Sequence, residues 1–475
     1  MKNTDSPRPR LDPKYRFLER RKTLAARPDV EQLAKNIRQL LATAKIDQLR
    51  ILLHDEYPAD LADALFFLND AEDKTIFDLL DAAEAAEVLD ELDAQTTTRL
   101  VTGSSPERLA SILRELMPDE ATDIAGNLNG ETRERVLALM PAEEADAIRT
   151  LLAYPKESAG GIMTSCFVAV PETATQAEAV GAFVNDPNAE HQFYIYALDE
   201  QGALCGVLDL RQLLRASPTT RIGDIMTSDV LHVPPDMDQE HVALLFSRYD
   251  LLALPVVEPG TNKLLGVITA DDVIDVIEYE VTEDVMRTAG SDAQELERRT
   301  PTRIALLRLP WIMATMFIEL LAGVVIHFFD STLTNVILLA SFMPIISAIS
   351  GNTGLQSATI IVRGLSTGQV RLTHWQSAVL RQVKTTLILG AAAGCVLGVI
   401  GAIWYGKLAF GLIIFVGMFM AVNIAGVVGT IVPLISKSLG FDPALTSGPF
   451  ETAFQDVVGI SIFLSLATAL IKFLL

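Results

Sequence analysis

Five apolar stretches close this chain, at about 311–329, 334–349, 385–404, 410–433 and 457–475, although 21% of the whole sequence is charged. A bilayer-spanning helix needs about 20 mainly apolar residues, so the pattern predicts five membrane helices. The second stretch is short and runs into Ser350-Gly-Asn-Thr-Gly354, which reads as a turn. Irregular backbone at membrane depth survives only where it lines protein or a water-filled path.

Charge is segregated along the chain. Residues 301–475 carry nine Lys/Arg and five Asp/Glu, which leaves 29 basic and 55 acidic residues in the first 300. The front is therefore a soluble acidic body with a net charge of −26, and the back is nearly uncharged. Such a body repels phosphate, so nucleic acid is excluded as a partner. It suits either plain solubility or binding of hard divalent cations, which want several carboxylates. Cys166, Cys205 and Cys395 lack metal-ligand spacing and suggest no disulfide framework. The six histidines have no metal or triad spacing and no phosphate-binding loop is present, so an enzyme is not expected.

Basic residues set the topology. Arg303 and Arg308 precede the first span, and Arg363, Arg371, Arg381 and Lys384 separate the second from the third. Both stretches belong in the cytosol by the positive-inside rule. The expectation is a multi-pass protein of the cell (inner) membrane, with its soluble body in the cytoplasm and Leu475 on the outer side. The N-terminus carries Arg8, Arg10, Lys14 and Arg16 without an apolar run, so no signal peptide is expected.

Few polar groups fall in the spans. Asp456 stands at the start of the fifth stretch and Glu319 lies in the first. An intramembrane carboxylate is costly and usually faces a bundle interior or an ion path. For Asp456 the alternative is helix capping at a membrane edge. For Glu319 it is an ion pair or a protonated interior acid. Asn352, Gln356 and Asn423 are further candidates, although Asn423 also suits inter-helix hydrogen bonding. Gly417, Gly426 and Gly429 suit close helix packing as well as ion passage.

Residues 30–152 read as amphipathic helices of about ten residues, as in Pro58-Ala-Asp-Leu-Ala-Asp and Pro106-Glu-Arg-Leu-Ala-Ser. Proline and acids suit a helix's first turn, and the repetition predicts an all-α superhelix. Further on, Ile162-Met-Thr164 recurs as Ile225-Met-Thr227, and Gly206-Val-Leu208 as Gly266-Val-Ile268. This is a tandem α/β repeat that resembles a pair of CBS domains. The resemblance implies a nucleotide site such as one for ATP, with Thr269 and Asp272 in the second copy's Gly266-Val-Ile-Thr269-Ala-Asp-Asp272. The first copy, Gly206-Val-Leu-Asp209-Leu-Arg-Gln212, lacks that pattern. After the second repeat, Asp272, Asp275, Glu280, Glu283 and Asp284 mostly recur at helical spacing. Like charges so placed repel, which suits either bound cations or an exposed face.

The whole resembles the MgtE family of magnesium channels and transporters. The matching motifs are Pro344 to Gly354 with Gln356-Ser-Ala-Thr359, Val362-Arg-Gly-Leu365, Leu439-Gly-Phe-Asp442-Pro-Ala-Leu-Thr-Ser-Gly-Pro449 and Asp456-Val-Val-Gly459. The implied organisation is a flexible 1–29, an acidic helical superhelix at 30–155, a tandem CBS pair at 156–277, an amphipathic connecting (plug) helix at 278–302 and a five-helix pore domain at 303–475. The family further implies a homodimer in the lipid bilayer, with Mg²⁺ as both substrate and regulator. Asp456 and Asn352 match pore residues in that resemblance, with Gly351 beside them, and Gly448 stands where some members have Asn. Asp272, Asp275, Glu280, Glu283 and Asp284 match acids that bind regulatory Mg²⁺ and close the pore. Glu319 and Glu451 match no family motif. Three rival readings are a secondary transporter coupled to H⁺ or Na⁺, a nucleotide-regulated channel for another ion, and a membrane-anchored metal sensor.

Overall fold

A computed structural model describes residues 29–186, 193–292, 295 and 300–470. The expected flexible stretch at 1–29 falls almost wholly outside them. The chain forms two compact units that divide between Ala153 and Tyr154.

In the first unit ten helices follow one another from Val30–Ala42 to Ala142–Leu151. Their starts carry the expected chemistry. Pro58, Pro106 and Pro118 occupy first turns, and Asn69 with Glu72 and Asp81 with Glu84 form reciprocal caps. Each helix is too short to hold alone in water. Their apolar stripes meet in one continuous core that includes Ile37, Leu49, Leu65, Phe77, Leu89, Leu109 and Ile112. Asp73 is fully buried in this unit and accepts a hydrogen bond from Arg99 at 2.6 Å.

The second unit begins with the tandem repeat. Strand Ala169–Pro171 pairs in parallel with Tyr194–Leu198, which pairs antiparallel with Leu204–Asp209. In the second copy Ala253–Val257 pairs antiparallel with Leu264–Thr269, and Val233 adds a single parallel bridge to Val256. The two copies are crossed. Thr164, in the opening motif of the first, bridges Val267 in the closing strand of the second, and Thr227 bridges Val207 in return. The repeated glycines explain why this fits. A Cβ on Gly206 would lie 2.3 Å from Met226 Sδ, and one on Gly266 would lie 2.6 Å from the Thr164 carbonyl oxygen.

Helix Ala270–Thr288 rises directly from the last strand and runs unbroken across the expected 277/278 boundary. The final helix of the repeat and the start of the expected connecting segment are therefore one rod, which ends at Thr288. Gly290 follows with φ +75°, a conformation glycine adopts without penalty.

Among the described residues, five helices are long and apolar enough to span a membrane: Pro301–Phe328, Leu339–Ser366, Trp375–Tyr405, Leu408–Ser438 and Pro449–Ala469. Two expectations are corrected here. The second span starts at Leu339, after a separate short helix Asp330–Asn335, and it continues as regular helix through Gly351-Asn-Thr-Gly354. Those glycines make room rather than a turn, since Gly354 faces Glu451, and Gly429 lies against the Gly354 carbonyl. The fifth span starts at Pro449, so Asp456 lies inside it and does not cap it. The third and fourth spans pack through Gly390, Gly394, Gly398 and Gly401, which admit Phe415, Phe419 and Phe410. Small residues at such intervals let membrane helices approach closely.

Replacing Gly266 with Ala should destabilise the purified protein by about 1–3 kcal/mol, because the clash is with backbone that has little freedom to move. Chemical denaturation followed by far-UV circular dichroism checks this, and an unchanged midpoint would refute the crossed packing.

Candidate ion path and its coupling to the connecting helix

The fifth span carries Glu451 in its first turn and Asp456 further in. Ser347, on the second span, donates to Asp456 Oδ1 at 2.5 Å. Gly351 stands one turn further along the second span, and a Cβ there would lie 3.7 Å from the same oxygen. Glu319, on the first span, comes within hydrogen-bonding reach of Asp456. The second, fifth and first spans thus converge on one acid. Ser347 was not singled out from the sequence, since an isolated serine in an apolar helix carries no signal.

The other candidates lie elsewhere. Asn352 is exposed on the second span, as are Gln356 and Thr359. A polar stripe of this kind in a membrane helix requires water or a second chain beside it. Asn423 Nδ2 donates to the Phe419 carbonyl at 2.7 Å, and its Oδ1 accepts from Thr386 at 3.2 Å. It ties the fourth span to the third and does not join the group around Asp456. Gly448 precedes the fifth span and has no room for a side chain, because a Cβ would lie 2.4 Å from the Thr288 carbonyl oxygen.

That contact places the end of the connecting helix against the start of the fifth span. Polar links reinforce it. Arg287 pairs with Glu283 on its own helix and with Asp442 in the loop before the fifth span. Ser366, at the end of the second span, donates to Asp284 at 2.8 Å. Lys437, at the end of the fourth, lies 3.8 Å from Glu240. The connecting helix is thus latched to the second span and to the start of the fifth, and the helix Gln239–Tyr249 beside it reaches the fourth. Asp442 sits within a motif visible in the sequence, but its partner Arg287 lies 155 residues away.

The latch holds more negative charge than its cations balance. Burial, opposed by Arg287 and reinforced by Glu280, Glu157 and Asp442, pushes Glu283 up to about 7. Burial also raises Asp284 against the help of Ser366, and raises Glu280 against a 2.6 Å hydrogen bond from Gln239. Asp275 is exposed. Asp272 accepts from the Thr269 hydroxyl and caps the helix start. Among the described residues, no three acidic, histidine or cysteine side chains converge as a direct metal cage.

Comparison with known proteins follows this layout. Residues 56–157 match the MgtE intracellular N domain, 159–219 and 222–279 match the CBS domain, and 343–466 match a family described as divalent cation transporter. The magnesium transporter MgtE of Thermus thermophilus is 34% identical over 93% of this chain and 99% of its own. Its namesake in Bacillus subtilis is 31% identical over 93% and 98%.

The chain belongs to the MgtE family of magnesium transporters.

The crystal structure of an MgtE cytosolic domain in complex with ATP matches with 35% identity and a TM-score of 0.49, over 51% of this chain and 99% of that one. The MgtE architecture of helical N domain, CBS domains and five apolar C-terminal helices is present throughout. In this MgtE chain Glu319, Glu451, Ser347 and Arg287 gain places around the path or the latch that no motif had marked.

The latch should respond to pH. A carboxyl whose folded-state value is raised favours packing in its protonated form. Its contribution is whole below about 4.5 and is lost as pH rises through about 7. In chelator, the purified protein should melt about 2–4 °C higher at pH 6 than at pH 8. Glu283→Gln should shrink that difference, and an unaltered difference would locate the titration elsewhere.

Proposed function

We propose that the chain admits Mg²⁺ through the membrane past Asp456, and that its cytosolic body holds the path closed when internal Mg²⁺ is high. The observation that carries the reading is the convergence of the first, second and fifth spans on one carboxylate inside a chain of this family. Mg²⁺ sheds water reluctantly. A single carboxylate with a neighbouring hydroxyl suits an ion that keeps its shell and is read through its waters.

One chain leaves the polar stripe at Asn352, Gln356 and Thr359 uncovered, which supports a homodimer with the path between copies. Basic residues at Arg363, Arg371, Arg381 and Lys384 support a cytosolic sensor in the inner membrane. Thr269 and Asp272 are the proposed nucleotide contacts, of the kind ATP would use at the CBS pair.

The closing step rests on the latch. Asp284 grips the end of the second span through Ser366, and Arg287 grips the loop before the fifth through Asp442. Burial raises Glu280, Glu283 and Asp284 above the usual carboxylate range, and neighbouring acids add to the rise. That charge fits a regulatory cation held through water rather than a direct cage. Bound Mg²⁺ would supply the missing positive charge, with Glu280, Glu283 and Asp284 as its holders and Asp272 and Asp275 further along the same helix. Without it the acids repel, the latch loosens and the spans part. A ligand shifts such a balance only through tighter binding to one state.

In vesicles of purified protein, Asp456→Ala should cut Mg²⁺ uptake at least tenfold, the scale of one lost polar contact. Replacing Glu280, Glu283 and Asp284 with Ala should leave uptake intact and weaken its inhibition by internal Mg²⁺. Full uptake in the first variant, or full inhibition in the second, would sink the respective half of the reading.

A further inference from the structure

The first span holds a single charged residue between Arg308 and His327, and it is Glu319. Within one copy Ala322 is the buried residue of that span among those described, and Glu319 is on its exposed side. An ionised side chain at mid-membrane costs about 3 kcal/mol or more when lipid surrounds it. Such residues persist where they face water, a partner or an ion. Glu319 has a neighbour of the wrong sign: the carboxyl of Asp456.

Two carboxyls this close repel unless something positive joins them. The protein supplies nothing of that kind. Among the described residues, the group that acts on Glu319 is Asp456, and those that act on Glu451 are Gln455 and Asp456. The Ser347 hydroxyl is already donated to Asp456. Glu451 adds a third acid nearby. It is 2% exposed, Gln455 satisfies its Oε1 at 3.0 Å, and its Oε2 has no partner. Three acids and no protein cation make a region whose balancing charge comes from solution.

We infer that Glu319 is a second ion-attracting carboxylate of the path, acting with Asp456 so that each copy presents two acids to a hydrated divalent cation. The inference rests on the path proposed above. Coulomb attraction grows with the charge on the ion, so a paired site favours divalent over monovalent cations more than a single acid does. Glu319 is then a selectivity residue, and the first span is part of the path rather than an outer wall.

The test uses the full-length protein in vesicles, with Mg²⁺ and K⁺ flux measured for wild type, E319Q, E319D and D456N. E319Q should raise the half-saturating Mg²⁺ concentration on the order of tenfold and lower the Mg²⁺-to-K⁺ flux ratio. E319D should restore both, since it keeps the charge. If E319Q fails to assemble, E319D against E319N isolates the charge at constant size. Loss of Mg²⁺ flux in D456N with unchanged saturation and selectivity in E319Q would overturn the role of Glu319 alone. Intact flux in D456N would instead overturn the path itself.

Discussion

A carboxylate inside hydrocarbon is the constraint around which the membrane half is arranged. Asp456 has to be kept from lipid and supplied with a donor. The second span meets this by turning Ser347 toward it and by lacking a side chain at Gly351, so the backbone comes close. The same logic of approach recurs at Gly354 and Gly429, and along Gly390, Gly394, Gly398 and Gly401. In lipid, helices gain little from hiding apolar surface, so close backbone contact replaces it as the source of association.

The soluble half is built on a different force. The short helices from Val30 to Leu151 hold together because their apolar faces share one core. The CBS copies hold together because each lends its opening motif to the other's closing strand. The rod from Ala270 to Thr288 then carries this body's position to the membrane half without a joint in between. A displacement at the repeat reaches Ser366, Asp442 and Gly448 through a single helix. Burial raises the acids along that rod, Glu283 and Asp284 among them, above the usual carboxylate range.

Much of the architecture was legible before any coordinates. Membrane spans announce themselves by composition, because every residue in them must tolerate lipid. The short helices announce themselves by their caps, and the repeats by recurring motifs at fixed spacing. The errors fell where local signals carry two meanings. Gly351-Asn-Thr-Gly354 looked like a turn because glycine breaks helices in water, whereas between packed membrane helices it serves as a contact. The helix Ala270–Thr288 runs past 277 because a helix has no reason to stop where a repeat ends.

The order of the parts, the number of spans and the isolated acids in them can be read along the chain, because composition and period are local properties. Only the tertiary structure decided which acids meet. Glu319 and Asp456, Asp284 and Ser366, and Arg287 and Asp442 are far apart in the chain and share no pattern. Charge acts through space, and helix packing sets which charges come within its reach.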